Sequence, residues 1–476
     1  MLLTIDIGTS TFKSALFDFD GNILSSSFIP LSIKSSGNKH EAQPSLWLCA
    51  FEECCKKLIP LKGKNEYLLN LREVQAIIIS GNGPSLVPVL GERHNENGLF
   101  VPSENARLWL DRRAVKYQEE ASQVMGGFVD ACFFLPKILY IKNNEEELYK
   151  KTKYFLGCPE YLAYALTGTP CSVFPCEGFD RWFWNDEALK KLNLEKDKFP
   201  PFIRPGELFG TISAKTAQIF GFKKNIPVIS GGPDFFAAIL GSGVIKPGQA
   251  CDRSGSSEGI NLCTKNKVND ERLMSYGHPV KPYWNLSGII NTTGKAIEWG
   301  CGFLGLKSFE DFFASAQESK PGSGGIIFHP YLAGERSPVW DASLKASWSG
   351  ISLSTGRSEA ANSILEGIGF AIRDVISAME EAGENPVQLH ITGKLSDCGL
   401  LNQIKADITG KEALVFACRE AELSGLAIIG SCSLKKFSSC AEASSAIIKI
   451  EKRYEPNTKN EKIYNNLFSD YKRCQK

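Results

Sequence analysis

One short pattern occurs twice, about half a chain apart, and it constrains the fold more than any other feature. Asp6-Ile7-Gly8-Thr9-Ser10 follows the apolar stretch Leu2 to Ile5 and precedes Phe12 to Phe17. Arg253-Ser254-Gly255-Ser256-Ser257 sits in the same way between Gln249–Asp252 and Gly259–Cys263. Each reads as strand, small-residue turn, strand, and the recurrence suggests two related domains. At 476 residues the chain is too long for one ordinary core. A boundary near Val244 to Pro247 divides it into residues 1–245 and 246–476.

The flanking segments extend this reading. Asp20-Gly21-Asn22 is a hairpin turn leading into a third strand, Ile23 to Ile29. Val74 to Ile79 is a buried strand running into Ser80-Gly81-Asn82-Gly83-Pro84. Pro227 to Ile229 runs into Gly231-Gly232-Pro233-Asp234 and the helix-like Phe235 to Leu240. Strands alternating with helices predict an α/β class. Arg453-Tyr454-Glu455-Pro456 onward reads as an exposed helix with a solvated, charged face.

Composition excludes several functions. With 54 basic and 53 acidic residues, the net charge of +1 gives no electrostatic case for nucleic acid or an anionic membrane. No apolar run reaches the roughly 20 residues of a membrane helix. The opening Met1-Leu2-Leu3-Thr4-Ile5-Asp6 has no basic region and no long apolar stretch, so no secretory leader is expected. The fifteen cysteines are scattered and none forms a C-x-x-C pair, which argues against zinc and for reduced thiols in a cytoplasmic protein. His40, His94, His278, His329 and His390 show no metal-ligand spacing and are expected to be structural.

Four segments carry candidate chemistry. Asp6, at a strand's end, can hold Mg²⁺ through water, and Gly8-Thr9-Ser10-Thr11 offers N–H groups and hydroxyls to phosphate, with Lys13 adding charge. A plain polar hairpin turn is the competing reading. Gly255-Ser256-Ser257 is a second such turn, and the pairing strengthens both. Asp234, after two glycines and a proline that let a substrate approach, would face a cleft at a strand's carboxyl end, although Asp is also a favoured helix cap. Within Leu108-Trp109-Leu110-Asp111-Arg112-Arg113, Asp111 can accept from sugar hydroxyls and Trp109 can pack on a sugar face; a surface salt-bridge cluster competes.

The chain resembles the FGGY carbohydrate kinases, which include xylulokinase, glycerol kinase and gluconokinase. Its most specific block is Phe328-His329-Pro330-Tyr331-Leu332-Ala333-Gly334-Glu335-Arg336-Ser337-Pro338. Trp348-Ser349-Gly350-Ile351 through Ile364-Leu365-Glu366-Gly367 and the segment around Lys137 match further signatures, with Tyr140 where the family prefers Trp. The resemblance runs from Ile5 to Pro456. It implies two actin-like ATPase (ribonuclease H-like) domains with an interdomain cleft. The N-terminal domain would bind sugar and carry the base; the C-terminal domain would bind nucleotide. ATP and Mg²⁺ are the implied cofactors, a sugar or polyol the partner, and a homodimer is allowed.

Residue by residue, the resemblance implies Asp234 as general base and, with Asp6, as metal ligand. It implies Asn82, Gly83, Trp109, Asp111, Arg112 and Phe235 on the sugar side. Gly8, Thr9, Ser10, Thr11, Lys13, Gly255, Ser256, Ser257, Gly294, Gly393 and Lys394 fall on the nucleotide side. Four departures stand out. Gly83-Pro84 replaces the Met-His pair of xylulokinases, and Phe235 replaces a hydroxyl-binding amide. Thr392-Gly393-Lys394-Leu395-Ser396-Asp397 replaces a three-glycine adenosine loop. Arg253 and Glu258 flank the second turn, where they can pair with each other or perturb the phosphate site. The expected activity is ATP-dependent phosphorylation of a small sugar or polyol, a ketopentose such as xylulose. A non-catalytic sugar or nucleotide sensor, and an ATPase acting on a protein, are the alternatives.

Overall fold

The computed structural model describes residues 1–59, 70–91 and 101–475. The chain forms two compact units, Met1–Gly241 with Glu422–Ile447, and Ser242–Ala421 with Ile448–Lys476.

The first unit is built on β1 (Leu2–Ile7), β2 (Thr11–Phe17), β3 (Ile23–Pro30), β4 (Ala76–Gly81), β5 (Leu208–Thr211) and β6 (Pro227–Pro233). They form one sheet in the order β5-β6-β4-β1-β2-β3. β1 pairs antiparallel with β2 but parallel with β4, which is parallel to β6. β1 and β4 are buried at every position, as strands covered on both faces must be. Helices α1 (Pro44–Lys57), α2 (Phe134–Asn144), α3 (Cys158–Thr167) and α4 (Asp234–Gly241) accompany this sheet.

The second unit repeats the plan. Its strands are β7 (Gln249–Ser254), β8 (Glu258–Thr264), β9 (Met274–Gly277), β10 (Trp284–Ile290), β11 (Gln388–Thr392), β12 (Glu412–Phe416) and β13 (Ile450–Tyr454), in the order β9-β10-β8-β7-β11-β12-β13. β7 pairs antiparallel with β8 and parallel with β11, as β1 does with β2 and β4. The sequence repeat is therefore a repeat of sheet topology. Helices α5 (Gly294–Phe303), α6 (Arg357–Glu381), α7 (Gly399–Thr409) and α8 (Thr458–Cys474) complete the elements used below.

Two expectations are corrected. A single cut near 244–247 misses the return of Glu422–Ile447 to the first unit. Glycines make that return close: a Cβ on Gly425 would lie 1.8 Å from the Ala237 carbonyl oxygen, and one on Gly430 2.6 Å from Ile78 Cδ1. Ser433 Oγ also donates to the Gly206 carbonyl at 2.8 Å. The C-terminal segment is not simply a solvated helix. Ile450–Tyr454 is a strand, and α8 buries Tyr464 and Tyr471. Tyr464 donates to Glu366 Oε1 at 3.0 Å, and the Tyr471 and Tyr331 hydroxyls lie 2.8 Å apart.

Candidate active site

Register brings the first cluster together. Asp6 lies opposite Ser80 and Ser80 opposite Gly232; Ile7, Gly81 and Pro233 form the next row. Three parallel strands thus end together and release Gly8, Asn82 and Asp234 at the carboxyl edge, where open α/β sheets bind ligands. The β6 register shifts between Ser230 and Gly232. Such a bulge bends a strand and re-aims the residues beyond it. Gly231 and Gly232 serve this bend, and Gly232 also lines the pocket described below. A Cβ on Gly231 would meet Leu426 Cδ2 at 2.1 Å, and Gly232 has φ +74°.

Asp6 is 3% exposed and takes a hydrogen bond from Ser80 Oγ at 2.9 Å. Lys13, opposite it on β2, lies 4.0 Å from Asp6 and 3.6 Å from Glu422. Lys13 is therefore held between carboxylates, where a contact to phosphate alone was expected. Burial pushes the Asp6 carboxyl up to about 7; Lys13 and Ser80 oppose this, while Glu422 and Asp234 reinforce it. Asp6, Asp234 and Glu422 thus share one acidic locus. Sequence reading missed Glu422 because it is remote from Asp6 along the chain and carries no motif.

Gly8 closes the first turn, its N–H donating to Thr11 O at 3.0 Å; a Cβ there would lie 2.8 Å from that oxygen. Trp109 donates from Nε1 to Thr9 Oγ1 at 3.0 Å, which joins the expected sugar-side segment to the turn. Ser10 is exposed and Thr11 half-buried. Asp234 is half-buried at the start of α4, and its Oδ1 accepts the Phe235 N–H at 2.6 Å.

Beside Asp234 lies a pocket walled by Asn82, Gly83, Phe179, Phe235, Glu160 and Val173, among others. The Phe235 ring stacks on Phe179 with centroids 5.8 Å apart. Asn82 donates from Nδ2 to Ile7 O at 2.9 Å and accepts from Ser85 Oγ at 2.5 Å, so its amide holds the β1 and β4 ends together. Gly83 is exposed, with nothing within 4 Å of where its Cβ would stand. Lys137, 1% exposed, donates to the carbonyls of Pro84, Arg107 and Leu108 at 2.7, 3.2 and 2.8 Å. It pins the pocket-lining Pro84 segment to the Arg107–Leu108 segment, and burial lowers its pKa to about 7.

Asp111, expected on the sugar side, is engaged within the protein. It is fully buried, accepts the His40 N–H at 2.9 Å and bonds the Arg113 guanidinium through Nε and Nη2. Arg113 continues to Glu41 at 2.6 Å. A neighbouring guanidinium consumed the carboxylate, as the salt-bridge alternative allowed. Arg112 is largely exposed and paired with Asp130.

In the second unit, Gly255-Ser256-Ser257 caps the β7–β8 hairpin. Gly255 O accepts from the Gly294 N–H at 2.9 Å and from Thr293 Oγ1 at 3.0 Å, and Ser256 O accepts from Thr293 N–H at 3.1 Å. Gly294 is needed there: a Cβ would lie 2.6 Å from Gly255 O. Glu335 and Arg336 act at one remove, since Glu335 Oε1 accepts the Asn291 N–H at 2.8 Å and Arg336 Nε donates to Asn291 Oδ1 at 2.6 Å. Gly393 has φ +84° and packs on Ser254 O, while Lys394 is exposed.

Glu258 pairs with Lys405. Lys405 reaches from α7 to Glu258, to Asp252 at 2.8 Å and to Ser254 at 3.1 Å, and all three charged side chains are fully buried. Burial, with Asp252 nearby, raises the Glu258 acid well above the usual carboxylate range. Nothing local in sequence joins residues 147 positions apart. Of the histidines, His94 lies outside the described residues. His278, His329 and His390 are buried at separate places in the second unit and His40 contacts Ser35. All fifteen cysteines are free. No helix among the described residues is long and apolar enough to cross a membrane.

Two topologically matched α/β units, each with a glycine-bearing turn between its first two strands and one with an acidic pair at its strand ends, define a two-domain phosphotransferase fold. Residues 1–241 match the N-terminal domain, and residues 253–434 the C-terminal domain, of the FGGY family of carbohydrate kinases. The chain belongs to the FGGY family and is a carbohydrate kinase. It is 27% identical to the xylulose kinase of Staphylococcus epidermidis, covering 100% of this chain and 96% of that protein. Its fold superposes on ligand-bound xylulose kinase from Lactobacillus acidophilus (TM-score 0.85, 23% identity, 100% and 98% coverage). It matches gluconate kinase from Lactobacillus acidophilus equally well (TM-score 0.85, 22% identity, 99% and 97% coverage).

Proposed function

We propose that the chain transfers the γ-phosphoryl group of ATP to a hydroxyl of a ketopentose such as xylulose, with Asp234 as general base. The observation that carries this is the register of β1, β4 and β6, which sets Asp6 and Asp234 together beside the pocket containing Phe235. The sugar hydroxyl attacks phosphorus, the bond to the bridging oxygen of the diphosphate breaks, and Asp234 takes the hydroxyl proton. The Gly8–Thr11 turn of one unit and the Gly255–Ser257 turn of the other would each offer N–H groups and hydroxyls to phosphate oxygens, and Gly393 and Lys394 would serve the adenosine of the nucleotide. Trp109 orients the first turn through Thr9, and Asp111 holds its segment through Arg113.

Asp6 and Asp234 would hold Mg²⁺, which neutralises phosphate charge when bound. Their chemistry fits. Among the described residues no three His, Cys, Asp or Glu side chains form a cage, but Mg²⁺ takes one or two carboxylates together with waters and phosphates. The raised Asp6 carboxyl, next to further carboxylates, is relieved by a cation.

The relatives carry kinase names, and nothing in them favours a sensor. A cytoplasmic location accords with fifteen free thiols. The test is ADP release with Mg²⁺ and ATP across D-xylulose, other ketoses, aldonates and polyols. Sugar-dependent release greatest with a ketopentose is the expected result; release indifferent to every sugar refutes the reading.

A further inference from the structure

Lys13 stands directly opposite Asp6 in the β1–β2 register, where an ammonium would ordinarily settle on the facing carboxylate. It lies 4.0 Å from Asp6, however, and closer, at 3.6 Å, to Glu422. Glu422 is not a chance neighbour. It belongs to the first turn of the helix Ala421–Ser433, and on a helix the residues three and four positions on share its face. Those residues are Gly425 and Leu426, and both are docked on the junction that carries Asp234. A Cβ on Gly425 would lie 1.8 Å from the carbonyl oxygen of Ala237, in α4, which Asp234 starts. Leu426 Cδ2 fills the space that a Cβ on Gly231 would need, 2.1 Å away, at the β6 bulge. Further along, Gly430 packs on Ile78 of β4. The helix is thus fixed to β4 and to the β6–α4 junction, and Glu422 with it. Lys13, by contrast, is a point charge on a flexible four-carbon stem. Its place is decided by the carboxylates around it.

We propose that Glu422 is a positioning residue for phosphoryl transfer: by sharing the Lys13 ammonium it keeps Asp6 open to Mg²⁺ and holds the ammonium for the phosphate that the Gly8–Thr11 turn receives. The inference rests on the reading of Asp6 and Lys13 as the metal and phosphate groups, and adds the residue that sets their balance. Without the Glu422 charge, Lys13 closes on Asp6 as an ordinary ion pair and competes there with a cation. With it, the ammonium is drawn from two sides and stays between them. The Lys13 and Glu422 side chains each remain 20% exposed, so the pair is not sealed off from a ligand. Glu422 touches no substrate in this scheme and acts only through Lys13.

The experiment titrates Mn²⁺ into the protein with saturating ADP, following free Mn²⁺ by electron paramagnetic resonance. It also measures initial rates of ADP release with D-xylulose across Mg²⁺ concentrations. Wild type, Glu422→Gln, Glu422→Asp, Lys13→Met and the double variant Lys13→Met with Glu422→Gln are compared, each checked by thermal melting. Glu422→Gln should weaken Mn²⁺ binding about tenfold and lower kcat about tenfold or more at saturating Mg²⁺, with KM for D-xylulose unmoved. Glu422→Asp retains the charge on a shorter stem and should fall between wild type and Glu422→Gln; it carries the comparison if Glu422→Gln does not fold. In the Lys13→Met background there is no ammonium left to hold, so adding Glu422→Gln should change Mn²⁺ affinity by no more than about twofold. A tenfold loss persisting in that background would make Glu422 a plain charge near the metal and overturn the proposal. So would a Glu422→Gln protein with a lower Tm but unchanged Mn²⁺ affinity and kcat. A wild type that binds no Mn²⁺ with ADP overturns the reading of Asp6 as the metal group, and the proposal with it.

Discussion

Replacing Asp234 by Asn separates chemistry from architecture. In the structure Asp234 Oδ1 accepts the Phe235 N–H at 2.6 Å at the start of an eight-residue helix. Asn retains an acceptor there and so keeps most of the capping role, which is worth about 1 kcal/mol in full. The lost charge at the helix start removes a further ~0.3–1 kcal/mol. Asp6 offsets part of that, because the Asp234 charge is one of the influences raising the Asp6 carboxyl. The net change is within about 1 kcal/mol, or ~2–4 °C in Tm for a unit of this size. Loss of a general base, by contrast, lowers the rate by about 10²–10⁴. ADP release with D-xylulose, nucleotide binding and thermal melting should be measured on the same preparation. The expected result is a folded variant that binds ATP and has lost at least two orders of magnitude in kcat. Turnover within tenfold of wild type would refute the base assignment. A collapse in Tm with proportionate loss of ATP binding would make Asp234 structural.

Phe235→Asn breaks the stack on Phe179 and should change relative kcat/KM across a sugar panel while leaving KM for ATP alone. Lys137→Met strips three carbonyls of their donor and should cost about 3 kcal/mol or more in denaturant unfolding, with a raised sugar KM in whatever folds. Lys405→Met leaves Asp252 and Glu258 buried without their cation; destabilisation of about 3–5 kcal/mol and a raised KM for ATP, read by chemical denaturation and initial rates, are expected. Glu160 also gives the chain a pH signature. Its acid, near 4.5 when unfolded and raised by burial to about 7 when folded, binds more protons in the native state between those values. Stability therefore falls as pH rises through that window and levels off above it, by up to about 3 kcal/mol. Glu160→Gln should flatten the dependence measured by melting from pH 4.5 to 8.

What sequence could reveal depended on how local the cause was. The Gly8–Ser10 and Gly255–Ser257 turns, the three opening strands and the Asp234 junction were all legible, because turn chemistry and apolar runs act over a few residues. The topological repeat was legible for the same reason, since one hairpin occurs twice. The return of Glu422–Ile447 was not. It depends on Gly425 and Gly430 meeting Ala237 and Ile78, and glycines inside a helical stretch do not announce which backbone they will touch.

The same distinction explains the site. Residue types at Asp6, Lys13, Asp111 and Glu258 were read for the chemistry they can do, but a charged group's role is set by the partner that reaches it first. Arg113, two residues on, claimed Asp111 as a salt-bridge partner. Lys405 claimed Glu258 from 147 positions away and turned a suspected perturbation into a buried brace under the second turn. Glu422 joined Lys13 and made the Asp6 locus more acidic than the local motif implies. In each case the unit of function is a charge balance assembled by the fold. Asp6, Asp234 and Glu422 share a locus with Lys13. A cluster of carboxylates at strand ends has the form expected of a site completed by a cation.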